Sequence, residues 1–204
     1  MGLRLLVLGW WTPNYIIRRE LKNISSQSTT ALKALIAEHA SGKVDDTQKL
    51  QHPKSIQEQR AIMAQIQAKL VEALEAEIGR DEAVKLGREA LFSVGQNLGK
   101  QTRSRLGVGD NPKDLIKAAK ILYRVLGIEF HLERLDRSNA KAIIDRCALA
   151  KQYSKLTCEV LSATDEGVIN GLQPNVTMQF KEYMTSGCDN CRADIHFDEK
   201  ETIE

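Results

Sequence analysis

Apolar positions recur along the first half of the chain at the three- and four-residue spacing of helices. Tyr15, Ile17, Leu21, Ile24, Leu32, Leu35 and Ile36 predict a helix over 14–40. The polar stretch "HASGKVDDTQKLQHPKS" then predicts a linker. Pro53 suits the approach to a second helix, in which Ile56, Ile62, Met63, Ile66, Leu70, Leu74 and Ile78 form one stripe. A third helix is expected from about residue 79, with Asp81 in its first turn and Gly107 as its stop. Gly87, Gly95 and Gly99 share one face of it. Glycine costs roughly 1 kcal/mol inside a helix, so three on one face predict the close approach of another backbone. A fourth helix covers 112–126 and ends at Gly127.

Beyond Gly127 the period drops to two. In "IEFHLERLD" Ile128, Phe130 and Leu132 alternate with Glu129, His131 and Glu133. With "AKAIIDRC" after a turn, this predicts a β-hairpin over about 128–147. Helical spacing returns over 150–172 through Leu156, Leu161, Val168 and Leu172, and Pro174 ends it. A second hairpin follows over about 176–197, turning through "SGCDNC". The order of elements predicts an α+β fold, with an antiparallel sheet of two hairpins packed against helices. Residues 1–80 are expected to form an N-terminal helical extension and 81–204 an α+β domain carrying the C-terminal cysteine cluster.

Composition narrows the function classes. At 204 residues and 42% hydrophobic, the chain can build a core without staples. Its 29 basic and 27 acidic residues leave a net charge of +2, which gives no electrostatic case for nucleic acid. "MGLRLLVLGWWTP" is too short to span a bilayer and lacks a cleavage signal. It reads as packed or partner-facing apolar surface, with weak membrane-surface contact through residues 3–11 as the lesser alternative. A cytoplasmic location is the default.

All four cysteines, Cys147, Cys158, Cys188 and Cys191, lie in the last 58 residues. In a reducing compartment such clustering points to metal or thiol chemistry before structural disulfides. Cys188 and Cys191 span a turn, so both sulfurs can aim at one point, as in a zinc knuckle. The expectation is a shared metal site, with zinc first and an iron–sulfur cluster second. A redox pair and inert buried thiols stand as alternatives, because the spacing matches no standard finger or ferredoxin pattern. Asp165 shares a helix face with Cys158 and Leu161 and is a candidate base. His131 and His196 fall on the polar strand faces, where solvent is the plain reading and a pocket the sharper one. His39 and His52 flank the linker and are expected to be solvated. Lys100, Arg103 and Arg105 suit the negative pole of a helix C-terminus.

From about Leu86 to Phe197 the chain resembles the superfamily joining the 4-vinyl reductase domain to the 2-aminothiazoline-4-carboxylate hydrolase-like proteins. The resemblance rests on "LGREALFSVGQNLG", "RCALA", "LTCEVLSATDEGVINGLQPNV" and "SGCDNCRADIHF", in that order. Cys147, Cys158, Asp165, Pro174, Gly187 and Cys191 match the pattern of the hydrolase-like branch. It implies an α+β small-molecule-binding fold, often dimeric, so a homodimer or a protein partner through the N-terminal helices is expected. It also implies a cysteine-ligated zinc beside the ligand cavity, with Cys158 and Cys191 at two of its positions. The other ligand pair of that zinc would fall near Phe180 and Tyr183, which offer it no donor of that kind, so Cys147 and Cys188 would have to substitute.

Three functions compete. One is a sensor-like or accessory protein binding a small, partly apolar ligand beside a metal held by the cysteines. Another is a hydrolase opening a cyclic amidine such as 2-aminothiazoline-4-carboxylate. There Asp165 would act as base, a cysteine-bound metal as Lewis acid, and His131 or His196 as proton donor. The third is a factor for assembling or delivering a cofactor or iron–sulfur cluster. Four thiolates on one zinc leave no open position, which favours binding.

Overall fold

The structure, a computed structural model, describes residues 3–39, 53–136 and 138–198. Most of the expected linker, and His52 with it, lies outside those residues. Six helices are described: α1 (Leu3–Trp10), α2 (Asn14–His39), α3 (Ile56–Ile78), α4 (Arg80–Leu106), α5 (Pro112–Leu126) and α6 (Lys155–Leu172). Four strands follow the expected hairpins: β1 (Ile128–Arg134) with β2 (Asn139–Cys147), and β3 (Val176–Glu182) with β4 (Cys191–Phe197). A β2–β4 pairing, also antiparallel, joins the hairpins into one sheet of order β1-β2-β4-β3. The fold is therefore α+β.

Local chemistry accounts for the helix ends. Ser55, Asn111 and Ser154 each accept a hydrogen bond from the backbone N–H three residues on, capping α3, α5 and α6. Three guanidiniums cap C-termini from neighbouring elements. Arg60 donates to the carbonyls of Arg124 and Val125 at the end of α5. Arg103 donates to Leu172 at the end of α6. Arg124 donates to Leu8 and Gly9, holding α1 against α5. Each supplies protons and positive charge where a helix has bare carbonyls and a negative pole.

The tightest seam is between α4 and α6. A Cβ on Gly95 would strike the carbonyl oxygen of Thr164, and one on Gly99 that of Val168. Gly167 and Gly171 of α6 stand equally close to the carbonyls of Phe92 and Gln96. The close approach expected from the glycines of α4 is present, and α6 answers it with two glycines of its own. Backbones this near fix the height and rotation of α6, and with them where Asp165 points.

Packing runs across residue 80. Leu32 and Ile36 of α2 and Leu70, Val71 and Leu74 of α3 share one cluster with Leu91 of α4 and Leu156 and Val160 of α6. Leu5 of α1 is fully buried in the core between α5 and the sheet, which also holds Ile121, Leu172, Val176, Ala193 and Ile195. The outer face of α1 stays open: Val7 is 53% exposed, Trp11 65% and Trp10 90%. No described helix is long and apolar enough to cross a membrane.

Candidate functional site

Two β-bulges shape one end of the sheet. Glu129 pairs with Arg146 but Phe130 with Ile144, so Asp145 is an extra residue in β2. Likewise Phe180 pairs with Ala193 but Glu182 with Arg192, which leaves Lys181 extra in β3. One extra residue reverses the inward/outward alternation beyond it. Cys147 therefore turns to the same side as Ile144, and Tyr183 to the same side as Phe180. All four line one cavity, and the Phe180 and Tyr183 rings stack at 6.0 Å.

That cavity, of about 90 Å³, lies between the bulged end of the sheet and helices α2, α3, α5 and α6. A water needs roughly 10–15 Å³ by the same measure, so the space takes about six waters or one small ring. Its walls carry apolar side chains, Tyr123, Tyr153 and Tyr183, the thiols of Cys147, Cys158 and Cys191, and Asp165. Among the described residues no lysine, arginine or histidine lines it.

Asp165 is the one carboxyl among its described lining residues. Burial, and after it the neighbouring Glu166, push its pKa from 3.8 up to about 7. The two consecutive acids of α6 have opposite fates, because adjacent helix positions differ by about 100° in direction. Glu166 turns away into a set of partners: Arg88 at 2.6 Å and the backbone N–H of Phe180 at 3.0 Å. Arg88 also donates to Ser162, whose hydroxyl lies 3.2 Å from that of Tyr183. Asp165 has no such hydrogen bond among the described residues. Tyr123 is alike: its ring packs edge-on against Phe130, and its buried hydroxyl has no protein partner. Tyr153 is satisfied, donating at 2.6 Å to Gln67, which in turn donates to Ser28. An orphaned hydroxyl and an orphaned carboxyl in one apolar cavity are what a ligand would pair.

The thiols are held protonated. Burial raises Cys158 from 9.0 to about 11 and also raises Cys147 and Cys191. Cys147 is partly offset by the backbone N–H groups of Leu149 and Ala150, and Cys191 by that of Met184. Cys188 sits half-buried in the turn and does not line the cavity. Among the described residues no three His, Cys, Asp or Glu side chains are grouped to hold a metal ion. Of the four clustered cysteines, three converge on the cavity, and Cys188 does not border it.

The histidines are placed otherwise than a proton donor requires. His131 bonds to Asp145 at 2.8 Å, and His196 to Asn139 and Asp198, all on the open face of the sheet. Neither borders the cavity, because strand alternation sends residues 131 and 196 to the side opposite Phe130 and Ile195. His39 is exposed at the end of α2. Tyr123, Tyr153, Glu166 and Arg88 were missed by sequence reasoning. The available signal was the Asp165–Glu166 pair in the middle of α6.

The model of the L-2-amino-thiazoline-4-carboxylic acid hydrolase family matches residues 59–195. The chain belongs to that family. Its match opens inside α3 and closes in β4, so it takes in all four strands and every cysteine. No curated protein matches the sequence. Among solved structures, a trafficking protein particle complex subunit 3 from Naegleria fowleri, covalently bound to palmitic acid, is 16% identical. It covers 68% of this chain and 96% of that one, at TM-score 0.47. The phenol-responsive sensory domain of the transcription activator PoxR is 15% identical over 82% and 89%, at TM-score 0.48. An Fe(II) unliganded H-NOX protein from K. algicida is 9% identical over 87% and 98%, at TM-score 0.49.

Proposed function

We propose that this family member is a binding protein for a small, largely apolar molecule of about one ring, carrying a basic or hydrogen-bond-donating nitrogen. The observation that carries this reading is the unpartnered Asp165 carboxyl in an apolar cavity. A desolvated carboxylate is costly alone and favourable beside a cationic amidine or amine. Tyr123 supplies a second, directional contact through its free hydroxyl. The raised thiol pKa values keep the three cysteines neutral, so they act as polarisable packing around the ligand.

Family membership and a carboxyl poised near pH 7 favour a second reading, hydrolysis of a cyclic amidine with Asp165 as general base. Against it stands the lining: a substrate bearing its own carboxylate would meet no cation among the described residues of that cavity, and Arg105 lines instead the adjoining cavity that shares Tyr123 and Asp165 with it. Neither reading needs a metal held by the cysteines.

Calorimetry with 2-aminothiazoline and with 2-aminothiazoline-4-carboxylate, on parent and Asp165→Asn protein, separates the two. Binding predicts that the carboxylate-free compound binds more tightly, and that Asp165→Asn weakens it by at least about tenfold, the worth of one charge-assisted contact. Release of a ring-opened thiol, abolished by Asp165→Asn, would establish the hydrolase instead.

A further inference from the structure

A second, larger concavity lies on the other side of α5. It has a volume of about 660 Å³ and is walled by α1, α2, α4 and α5. Its floor is apolar, from Leu8, Ile121 and Val125. Arg4, Arg19 and Arg105 stand around it, and Glu20 is the one carboxylate among its lining residues. Glu20 is shared: it lies 2.8 Å from Arg19 and 3.7 Å from Arg105. Among the described residues Arg4 makes a 3.5 Å contact to the backbone carbonyl of Arg105. Three guanidiniums against one carboxylate leave an excess of two positive charges at the mouth of an apolar groove.

We propose that this groove binds an amphiphilic anion, with the carboxylate or phosphate on the arginines and the apolar body along the α1–α5 floor. The charge excess selects the sign of the head, since planar guanidiniums match carboxylate and phosphate oxygens in paired hydrogen bonds. The floor selects an apolar body over a free inorganic ion. The groove shares no lining residue with the cavity around the cysteines, which has no cation among its described lining residues; a smaller space bordered by Glu20, Arg105 and Asp165 lies between the two. The proposal does not depend on the function assigned to the cavity around the cysteines.

The same chemistry could come from a free amphiphile or from an anionic lipid headgroup, and the two sources are separable. Isothermal titration calorimetry reads binding of the soluble probes, and co-sedimentation reads binding of vesicles. The probes are monomeric decanoate, its uncharged counterpart decanol, and vesicles of phosphatidylglycerol in phosphatidylcholine. Decanoate is expected to bind more tightly than decanol and to weaken as salt rises from about 50 to about 500 mM. The double variant R4Q/R105Q, whose side chains are exposed, should keep the parent's circular dichroism while losing about tenfold or more in decanoate affinity. Binding of vesicles that disappears in R4Q/R105Q would assign the anion to a lipid headgroup, and binding of decanoate without vesicles to a free amphiphile. Equal affinity for decanol and decanoate, an unchanged affinity in R4Q/R105Q, or no binding of either anionic probe would overturn the proposal.

Discussion

Asp165 is a carboxyl kept in a place that disfavours its charge. Its folded pKa, about 7 against 3.8 when free, makes the folded state bind a proton that the unfolded chain releases. Stability from this group is therefore greatest below about pH 4, falls as pH rises to about 7, and is level above that; the full span is at most about 4 kcal/mol. Urea unfolding at pH 5 and pH 8 checks the sign. The parent should lose stability between the two, and Asp165→Asn should lose less and exceed the parent at pH 8. Binding of a basic ring should show the opposite slope, strengthening as Asp165 ionises, because the ligand then supplies the missing partner. Cys158 offers an independent check. With its pKa at about 11, only about one molecule in a thousand carries the thiolate at pH 8, so iodoacetamide should modify Cys188, which lies outside the cavity, well before Cys158. Mass spectrometry of timed samples gives the order.

The element that orients Asp165 is the α4–α6 pair. Four glycines let the two backbones touch, so Gly95→Ala has nowhere to place its methyl except by separating the helices. Overpacking typically costs 1–3 kcal/mol, and here the obstacle is backbone, so a loss of about 3 kcal/mol is expected. The same variant should weaken ligand binding at Asp165, because α6 carries that residue, whereas Gly9→Ala, in open space, should do neither. Chemical denaturation and calorimetry on the two variants decide it. The bulges work at the same level. Two inserted residues, Asp145 and Lys181, aim Cys147 and Tyr183 into the cavity, and neither insertion leaves a mark in hydrophobic periodicity, which reads the strands as regular.

Over the whole molecule, the three N-terminal helices pack into the rest: α1 closes the core with Leu5, and α2 and α3 complete the cluster around α6. Removing residues 1–12 takes out a fully buried leucine and the carbonyls that Arg124 caps, a loss of about 3 kcal/mol or more. Trp10→Ser with Trp11→Ser changes only exposed surface, so its unfolding midpoint should stay within about 0.5 kcal/mol of the parent. A fall in solution mass with the double tryptophan variant would show that the exposed face of α1 is covered by another copy or a partner. An unchanged mass would leave that face to some other role.

Hydrophobic periodicity, caps and turn residues determined helices α2 to α5 to within a residue or two, both hairpins, and the α+β class; α1 reads only as apolar surface, and α6 starts at Lys155, five residues later than its spacing suggests. These depend on neighbours along the chain, and every relevant signal, from Asn111 to Gly127, is local. The glycines of α4 even announced a contact, though not that α6 would answer it. What only the tertiary structure decided was convergence. Three of the four clustered cysteines meet at a cavity while Cys188 stays outside, and His131 and His196 face away from it. Tyr123 from α5, Tyr153 after β2 and Asp165 from α6 meet there because helix packing brings distant positions together. Whether a side chain ends in a cavity, a salt bridge or solvent depends on register, bulges and interhelical distance. Those are set by packing between segments far apart in sequence, and no pattern within a single segment carries them.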